Sequence, residues 1–259
     1  MKLNPEQEMA ANFRDGPCLV TACPGSGKTR TVVERTARLI LGGVPGSQIL
    51  SITFTNKAAE EMKDRVVKRI GPLPAGMFIG TFHKLCCQSL RFHGNVLGYG
   101  KNMTILMEDD QEDSVAQISR QQGYELTKPQ IKSIVWNVND ARENLETDSQ
   151  MHDRFDSLEP HWFDIANEYI LRLRRNSQID FSGMISETVR LFTEHSSVLE
   201  RAHAKWKYLQ VDEVQDTNLA QFRLVQLLSQ NTKNVFVVGD LDQSIYGWRG
   251  AEIQNILNF

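Results

Sequence analysis

Five short segments of the chain are almost continuously apolar, and segments with helical periodicity separate the first three. The five are CLVTA (18–22), ILSITF (49–54), MFIGTF (77–82), YLQVDE (208–213) and NVFVVGD (234–240). Apolar runs without alternation are typical of parallel strands that are covered on both faces. Helices are predicted over 29–41, which ends at Gly42-Gly43, and over 57–70, with Asn56 as the expected N-cap. The pattern predicts a doubly wound α/β fold, a parallel sheet flanked by helices.

The middle of the chain has a different pattern. Between about 84 and 206 only TILM (104–107) has the composition of a strand, and the other periodic segments predict helices. These helices are expected over 109–122, 129–145, 161–176, 180–195 and 197–206, with Pro129 in the first turn of the second. Because strands resume at Tyr208, we expect an all-helical subdomain inserted into an α/β domain. The predicted domains are 1–90 together with 177–259, and the insertion 91–176.

Composition places the chain among globular proteins, and its charge is unevenly distributed. Hydrophobic residues make up 41% and charged residues 24%, which excludes disordered and fibrous classes. The net charge is −3, but residues 1–100 hold 13 basic and 7 acidic side chains, a balance of +6. Residues 101–175 hold 9 and 15, or −6, and residues 176–259 hold 7 and 10, or −3. The positive segment fits either phosphate binding or helix surfaces rich in Lys and Arg.

Two further features narrow the classes of protein. No apolar run approaches the ~20 residues of a membrane span, and the N-terminal segment lacks the apolar core of a signal peptide. The four cysteines do not have the paired Cys/His spacing of zinc and iron–sulfur sites; they are Cys18, Cys23, Cys86 and Cys87. Four free thiols indicate a reducing compartment, so we expect a cytoplasmic protein without a membrane partner.

The strongest local signal is ACPGSGKT (22–29), called here the phosphate loop, which follows the first predicted strand and opens helix 29–41. Its glycines let backbone N–H groups approach phosphate oxygens, Lys28 reaches the outer phosphates, and the Thr29 hydroxyl can bind Mg²⁺. The pattern G-x-x-x-x-G-K-[ST] fails at its first position, Ala22, which is acceptable where that residue has a negative φ. The bland alternative is a glycine-rich turn with an incidental Lys-Thr. The predicted nucleotide-binding residues of the loop are Ala22, Cys23, Pro24, Gly25, Ser26, Gly27, Lys28 and Thr29.

A second candidate site lies at the end of the strand YLQVDE, where Asp212 and Glu213 are adjacent. Because the carboxyl ends of parallel strands lie at one edge of a sheet, we expect both carboxylates to face the phosphate loop. There Asp212 could hold Mg²⁺, and Glu213 could polarise the water that attacks the terminal phosphate. An acidic pair after a strand is usually a solvated loop, and only the phosphate loop favours the catalytic interpretation.

A third block, VGDLDQSIYGWRGA (238–251), follows the last predicted strand. Gln243 could sense the terminal phosphate from there. Tyr246, Trp248 and Arg249 form an aromatic and basic cluster, and aromatic rings stack on any nucleobase because every base has a π-face. The alternative is that Trp248 packs into the core.

Taken in order, six motifs resemble those of superfamily-1 DNA helicases of the UvrD/Rep type. They are LNPEQ, ACPGSGKTRT, ITFTNKAAEEM, GTFH, DEVQD and VGDLDQSIYGWRGA, which extend from residue 3 to residue 251. IDFSGMISETVRLF (179–192) is also similar to the segment where the family's chain re-enters its motor domain. The resemblance implies a RecA-like P-loop NTPase domain with a helical insertion, ATP and Mg²⁺ as cofactors, and single-stranded DNA as partner.

The resemblance also assigns roles residue by residue. For the nucleotide site it implies Gln7 at adenine, Lys28 at the phosphates with Arg30 beside the nucleotide, Thr29 and Asp212 at Mg²⁺, Glu213 as catalytic base and Gln243 as the catalytic coupling residue. For the single-strand path it implies Phe54, Thr55, Asn56, Thr81, Phe82 and His83, with base stacking at Tyr246 and Trp248 beside Arg249. Taken singly, Gln7 and His83 are ordinary polar residues. Only their positions within the ordered set of motifs make them candidate site residues.

The family's later motifs belong to a second RecA-like domain, whose arginines close on the γ-phosphate, and no residue here matches them. The chain is therefore expected to be the N-terminal part of an ATP-dependent helicase or translocase of DNA repair or replication. Alone it is expected to be monomeric, to bind Mg-ATP weakly and to hydrolyse it poorly. Three alternatives stay open: the helicase half of a helicase–nuclease, a nucleotide-gated DNA-binding module without hydrolysis, and a small-molecule P-loop kinase, which would leave the aromatic cluster unexplained.

Overall fold

A computed structural model describes residues 3–240 of the chain, which form two compact units. The first, called here the sheet unit, comprises residues 3–85 and 195–240. The second, called the helical unit, comprises residues 86–194. Four predicted site residues lie outside the described part of the chain: Gln243, Tyr246, Trp248 and Arg249.

The five longer strands and seven of the described helices match predicted segments, whereas the helices Pro5–Asn12, Phe82–His93, Asp148–Asp156 and Leu219–Ser229 were not predicted. The helices are α1 (Pro5–Asn12), α2 (Lys28–Leu41), α3 (Asn56–Ile70), α4 (Phe82–His93), α5 (Glu108–Gln121), α6 (Lys128–Glu143), α7 (Asp148–Asp156), α8 (His161–Arg175), α9 (Phe181–Glu194), α10 (Ser196–Lys205) and α11 (Leu219–Ser229). The strands are β1 (Cys18–Thr21), β2 (Ile49–Thr53), β3 (Phe78–Thr81), β4 (Thr104–Ile105), β5 (Gln178–Ile179), β6 (Tyr208–Asp212) and β7 (Val235–Gly239).

The sheet unit is built on five parallel strands in the order β1-β7-β6-β2-β3. Cys18 pairs with Phe236 and Ile49 with Tyr208, so all five strands end at the same edge. Every residue of β2, β3, β6 and β7 is buried, which is why these segments read as apolar runs rather than as alternating ones. The predicted fold class, a parallel sheet flanked by helices, is confirmed.

Helices α2 and α3 pack on this sheet through apolar faces. The cluster beneath them contains Val32, Val33, Met62, Val66, Ile79, Phe236 and Val238. Helix α2 ends at Leu41, with Gly42 as its C-cap and Gly43 at φ 88°, as the glycine pair predicts. The predicted N-cap of α3 is wrong: Thr55, not Asn56, is extended and accepts from the Ala58 N–H at 3.1 Å.

The helical unit has its own apolar core, formed by buried side chains of α5, α6, α7 and α8. It includes Val115, Ile134, Val138, Phe155, Ile165 and Tyr169. Pro129 lies in the first turn of α6, as predicted. Strand β4 pairs in parallel with β5, where Thr104 lies opposite Gln178. The expectation of no further strand between 84 and 206 is therefore wrong, because two residues suffice for this pairing. Between residues 3 and 240 no helix is long and apolar enough to cross a membrane.

The limits of the two units differ from the predicted domain limits. The first limit falls inside α4, and the second follows α9 rather than preceding it. Helix α9 belongs to the helical unit because Asp180, just before it, binds Arg142 of α6 at 2.6 Å and accepts from the Tyr169 hydroxyl at 2.8 Å. Compactness is one criterion for a domain among several, so the limits drawn from the sequence stay a prediction.

Candidate nucleotide-binding site

The phosphate loop leaves the carboxyl end of β1 and enters α2. Pairing with β7 continues one residue beyond the strand, since the Ala22 N–H donates to the Gly239 carbonyl at 3.0 Å. Ala22 is outside the left-handed region, so alanine meets the backbone requirement at this position. Gly25 and Gly27 have φ of 72° and 88°, values that favour glycine. The loop thus places its N–H groups and the N-terminus of α2 at one end of the sheet, an arrangement suited to phosphate.

Lys28 is the buried cation of this loop. It is 8% exposed, and its Nζ lies 3.5 Å from Glu213 Oε2 and 3.6 Å from Asp240 Oδ2. Glu213 follows β6, and Asp240 follows β7, the strand between β1 and β6. The predicted meeting of the phosphate loop with the acidic pair at the sheet edge is therefore present. Asp240, which is 2% exposed, belongs to this charged group around Lys28 but was not predicted as a site residue.

Glu213 is held in a strained and oriented position. Its φ of 55° and ψ of 49° are left-handed, a conformation that costs a non-glycine residue free energy and is concentrated at functional sites. The Gln215 amide donates to Glu213 Oε2 at 2.9 Å and accepts from the Asp240 N–H at 2.9 Å. A Cβ on Gly239 would come within 2.7 Å of Gln215 Oε1, so glycine leaves room for this bridge. Gln215 was not predicted as a site residue.

Asp212 and Thr29 meet at the same edge. Asp212 is 3% exposed, and burial raises the pKa of its carboxyl group to about 6, although the hydrogen bond with Thr29 opposes that rise. Thr53 follows Ile52, which pairs with Val211, so it lies beside Asp212 on the neighbouring strand. Its buried hydroxyl has no hydrogen-bond partner.

The Thr29 hydroxyl and the Asp212 carboxylate are in contact, and the buried Thr53 hydroxyl beside them has no partner. These oxygen groups fit a hydrated Mg²⁺ ion, which prefers oxygen ligands and keeps several waters. Over the described residues there is no cluster of three or more His, Cys, Asp or Glu that could hold a metal by protein groups alone. The donor set therefore fits a metal that completes its shell with phosphate and water.

Gln7 lies against the phosphate loop, while its implied role at adenine stays a prediction. Its Nε2 donates to the Ser26 carbonyl at 2.6 Å, and its Oε1 accepts from the Asn4 N–H at 3.0 Å in the capping box of α1. A Cβ on Gly27 would lie 2.8 Å from Gln7 Nε2, so this glycine is required by close approach as well as by its φ. Helix α1 thus brings a side chain that can bind a base next to the phosphate-binding backbone.

A cleft of about 320 Å³ opens beside these groups. Its walls are Pro24, Gly25, Gly27, Lys28, Thr29, Arg30, Arg65 and Glu213. Arg30, which the resemblance places beside the nucleotide, lines this cleft, and its role there stays a prediction. Arg65, on the third turn of α3, was not predicted as a site residue. The cleft combines cationic walls with one carboxylate, which suits a polyphosphate.

The residues predicted to contact DNA occupy the ends of β2 and β3. Phe54 is half-buried, whereas Thr55 and Asn56 are exposed. Thr81 and Phe82 are buried, and Phe82 at 2% exposed has no ring face open to a base. His83 is half-buried, and burial lowers the pKa of its imidazole. Contacts of these six residues with DNA stay a prediction, as do the roles of Gln243, Tyr246, Trp248 and Arg249 outside the described residues.

Comparison with known proteins decides the family. The sequence matches the UvrD/REP helicase N-terminal domain over residues 3–259. This chain belongs to the UvrD/Rep helicase family. It is 38% identical over 259 residues to the ATP-dependent DNA helicase PcrA of Staphylococcus aureus strain Mu50, covering 99% of this chain and 36% of that protein. It is 39% identical over 263 residues to the PcrA helicase of Bacillus subtilis strain 168, covering 99% of this chain and 35% of that protein.

Membership of the UvrD/Rep family confirms the resemblance seen in the ordered motifs. The chain spans about a third of the length of these curated relatives. Within the family, the part present here carries the phosphate loop, the acidic pair and Gln7 in one unit of the structure.

Proposed function

We propose that this chain is the ATP-binding part of an ATP-dependent DNA helicase or translocase, which couples ATP hydrolysis to movement along single-stranded DNA. The observation that carries the proposal is the position of Lys28 between Glu213 and Asp240 at the carboxyl edge of the sheet. Three strands converge there on one buried cation beside an anion-binding loop. The names of the PcrA relatives support ATP as the nucleotide and DNA as the substrate.

The geometry supports separate chemical roles for the side chains of the site. Phosphate oxygens compete with the two carboxylates for Lys28, because an ammonium group binds either anion. Release from Lys28 frees the Glu213 carboxylate to accept a proton from the attacking water, while the Gln215 amide still orients it. Thr29 and Asp212 would hold Mg²⁺, which neutralises charge on the phosphates when bound.

Hydrolysis and DNA binding would be linked through the ends of the strands. Segment 54–56 follows β2, which pairs with β6, and segment 81–83 begins at the last residue of β3, which pairs with β2. A shift in β6 at the nucleotide can therefore reach the residues proposed to contact DNA by way of adjacent parallel strands. Closing arginines from a second RecA-like domain would complete the ATP site, and we place the protein in the cytoplasm with its DNA.

The experiment that tests the proposal compares the complete natural protein with residues 1–259. The complete protein is expected to separate DNA strands and to hydrolyse ATP faster with single-stranded DNA, whereas residues 1–259 bind Mg-ATP with little turnover. Lys28→Ala in the complete protein should abolish strand separation, because Lys28 is the buried cation for the phosphates. Arg69→Ala on α3, an exposed arginine paired with Glu34 away from the cleft, is the control and should retain activity.

Three results would contradict the proposal. Rapid DNA-stimulated turnover by residues 1–259 alone would show that closing arginines are not needed. Mg-ATP binding without hydrolysis by the complete protein would favour the nucleotide-gated DNA-binding module. ATP hydrolysis that a small metabolite stimulates, and single-stranded DNA does not, would favour the P-loop kinase.

A further inference from the structure

Helix α1 carries Gln7 but has almost no apolar anchor. Of its eight residues only Ala11 is buried, Ala10 packs partly buried against the core cluster, and Met9 is 72% exposed. Two alanines contribute little apolar burial compared with the side chains of α2 and α3, and they do not fix the direction of the helix. Polar contacts therefore contribute much of what orients α1 relative to the phosphate loop.

The main polar contact of α1 is with Arg38 on α2. The Arg38 guanidinium binds both carboxylate oxygens of Glu8, at 2.8 and 2.9 Å, and also donates to Asn12 Oδ1 at 2.5 Å. Glu8 and Asn12 are four residues apart, so they lie on one face of α1. Two-point binding of a carboxylate by the planar guanidinium fixes direction as well as distance.

Gln7 precedes Glu8 and is the only side chain of α1 that contacts the loop in the hydrogen bonds of the described residues. Its bonds to Ser26 and Asn4 use one amide N–H and one oxygen lone pair, which leaves one of each. A glutamine amide with a free donor and a free acceptor pairs with adenine N7 and N6, whereas guanine offers an acceptor where adenine has the N6 donor.

We propose that Arg38 and Glu8 are positioning residues for nucleobase selection: their two-point ion pair holds α1 so that Gln7 presents its amide to adenine. Neither residue is among those that line the cleft. This inference rests on the proposed function, because it assumes that the cleft takes ATP. Selection between bases is thereby set by a surface contact between α1 and α2, outside the cleft.

The experiment measures dissociation constants of Mg-ATP, Mg-GTP and inorganic tripolyphosphate for residues 1–259, by displacement of a fluorescent nucleotide. Arg38→Ala and Glu8→Ala should each lower the preference for ATP over GTP by roughly fivefold, the effect of loosening one base hydrogen bond. Tripolyphosphate affinity should stay within about twofold, since the backbone and Lys28 bind it. Arg38→Lys, which keeps the charge but loses the fork, should lie between wild type and alanine.

The matched control is the pair of Glu34 and Arg69, which joins α2 to α3 with Nε–Oε distances of 3.1 and 3.2 Å. Arg69→Ala removes this ion pair of α2 without touching α1, and should leave the ATP preference unchanged. Glu34 itself is kept, because its carboxylate also acts electrostatically on Arg38. Gln7→Ala should lose the preference by itself. In the Gln7→Ala background, Arg38→Ala should lower the preference no further, because it acts through Gln7.

The remaining outcomes contradict either the positioning role of Arg38 and Glu8 or the proposed function. An unchanged ATP preference in Arg38→Ala, or a further loss in the double variant, overturns the positioning role. Equal weakening of ATP, GTP and tripolyphosphate overturns it too, since it would show that α1 merely supports the loop. A wild-type chain that binds none of the three overturns the proposed function itself.

Discussion

Substitution of Asp212 by asparagine should stabilise the folded chain while disabling the site. The carboxyl group is almost fully buried, and burial raises its pKa from 3.8 to about 6. Ionising it in the folded state therefore costs about 3 kcal/mol more than in the unfolded state, at ~1.4 kcal/mol per pH unit. Asparagine keeps an oxygen that can accept from the Glu213 N–H, which Asp212 Oδ1 binds at 3.2 Å, and carries no charge.

The sign and the pH range follow from proton linkage. Because the folded pKa is above the unfolded one, the folded state binds more protons between pH 3.8 and about 6. The destabilising cost is complete above pH 6 and absent below 3.8. Asp212→Asn should therefore raise the free energy of unfolding by about 3 kcal/mol at pH 8 and by about 1.5 kcal/mol at pH 5.

Urea unfolding followed by circular dichroism at the two pH values measures this difference. Asp153→Asn, a change at an exposed position on α7, is the matched control and should shift neither value by more than about 0.5 kcal/mol. The same Asp212→Asn variant should bind Mg-ATP more weakly than wild type. A lower stability of Asp212→Asn at pH 8, or an equal gain at both pH values, would refute the role assigned to burial.

Three further predictions concern neighbouring groups. Gln215→Ala in the complete protein should slow single-turnover ATP hydrolysis about 10- to 100-fold through misplacement of Glu213, with ATP affinity unchanged; weaker binding with normal hydrolysis would contradict it. Arg35→Met should cost about 3 kcal/mol in urea unfolding, because three carbonyl acceptors lose their buried donor; a neutral effect would count against that network. Iodoacetamide should alkylate exposed Cys23 long before Cys86, since burial raises the pKa of the Cys86 thiol to about 12, and peptide mapping that finds Cys86 first would oppose this.

The sheet could be predicted because its strands are buried on both faces. Each apolar run matches a strand within one or two residues, and the order of phosphate loop and acidic pair follows from parallel strands sharing one edge. The glycine pair after α2 marked its end for a local reason, the left-handed backbone of Gly43. Features that depend on local chemistry were accessible to sequence reasoning.

The errors have tertiary causes or overlooked signals. Strand β5 is two residues long and exists only through its pairing with β4, which is far away in the chain. Thr55 and Asn56 are both good caps, and the backbone path out of β2 decides between them. Helix α7 was not predicted, because only Met151 and Phe155 on it are buried and its apolar periodicity is weak. The capping box of Thr147 and Gln150 was a signal that could have found it.

The site residues missed by the sequence are those that act across strands. Gln215 bridges Glu213 to the Asp240 backbone, a link spanning 25 residues. Its place in the DEVQD motif could have marked it as a candidate, but the motif does not show which distant group it contacts. Arg65 lines the cleft from the third turn of α3, a helix whose first residue, Asn56, was predicted to contact DNA. Long-range partners of this kind become visible only when the strands are assembled.

The central claim is that residues 1–259 bind Mg-ATP at the phosphate loop through Lys28. Isothermal titration of Mg-ATP into wild type, Lys28→Ala and Lys28→Arg tests it most directly. We expect one saturable site in wild type, weakened at least about tenfold in Lys28→Ala. Lys28→Arg retains the positive charge between Glu213 and Asp240. Binding of Mg-ATP by Lys28→Arg that is tighter than by Lys28→Ala would assign the loss of affinity to the missing charge. Equal affinity of Lys28→Ala and wild type would contradict the account.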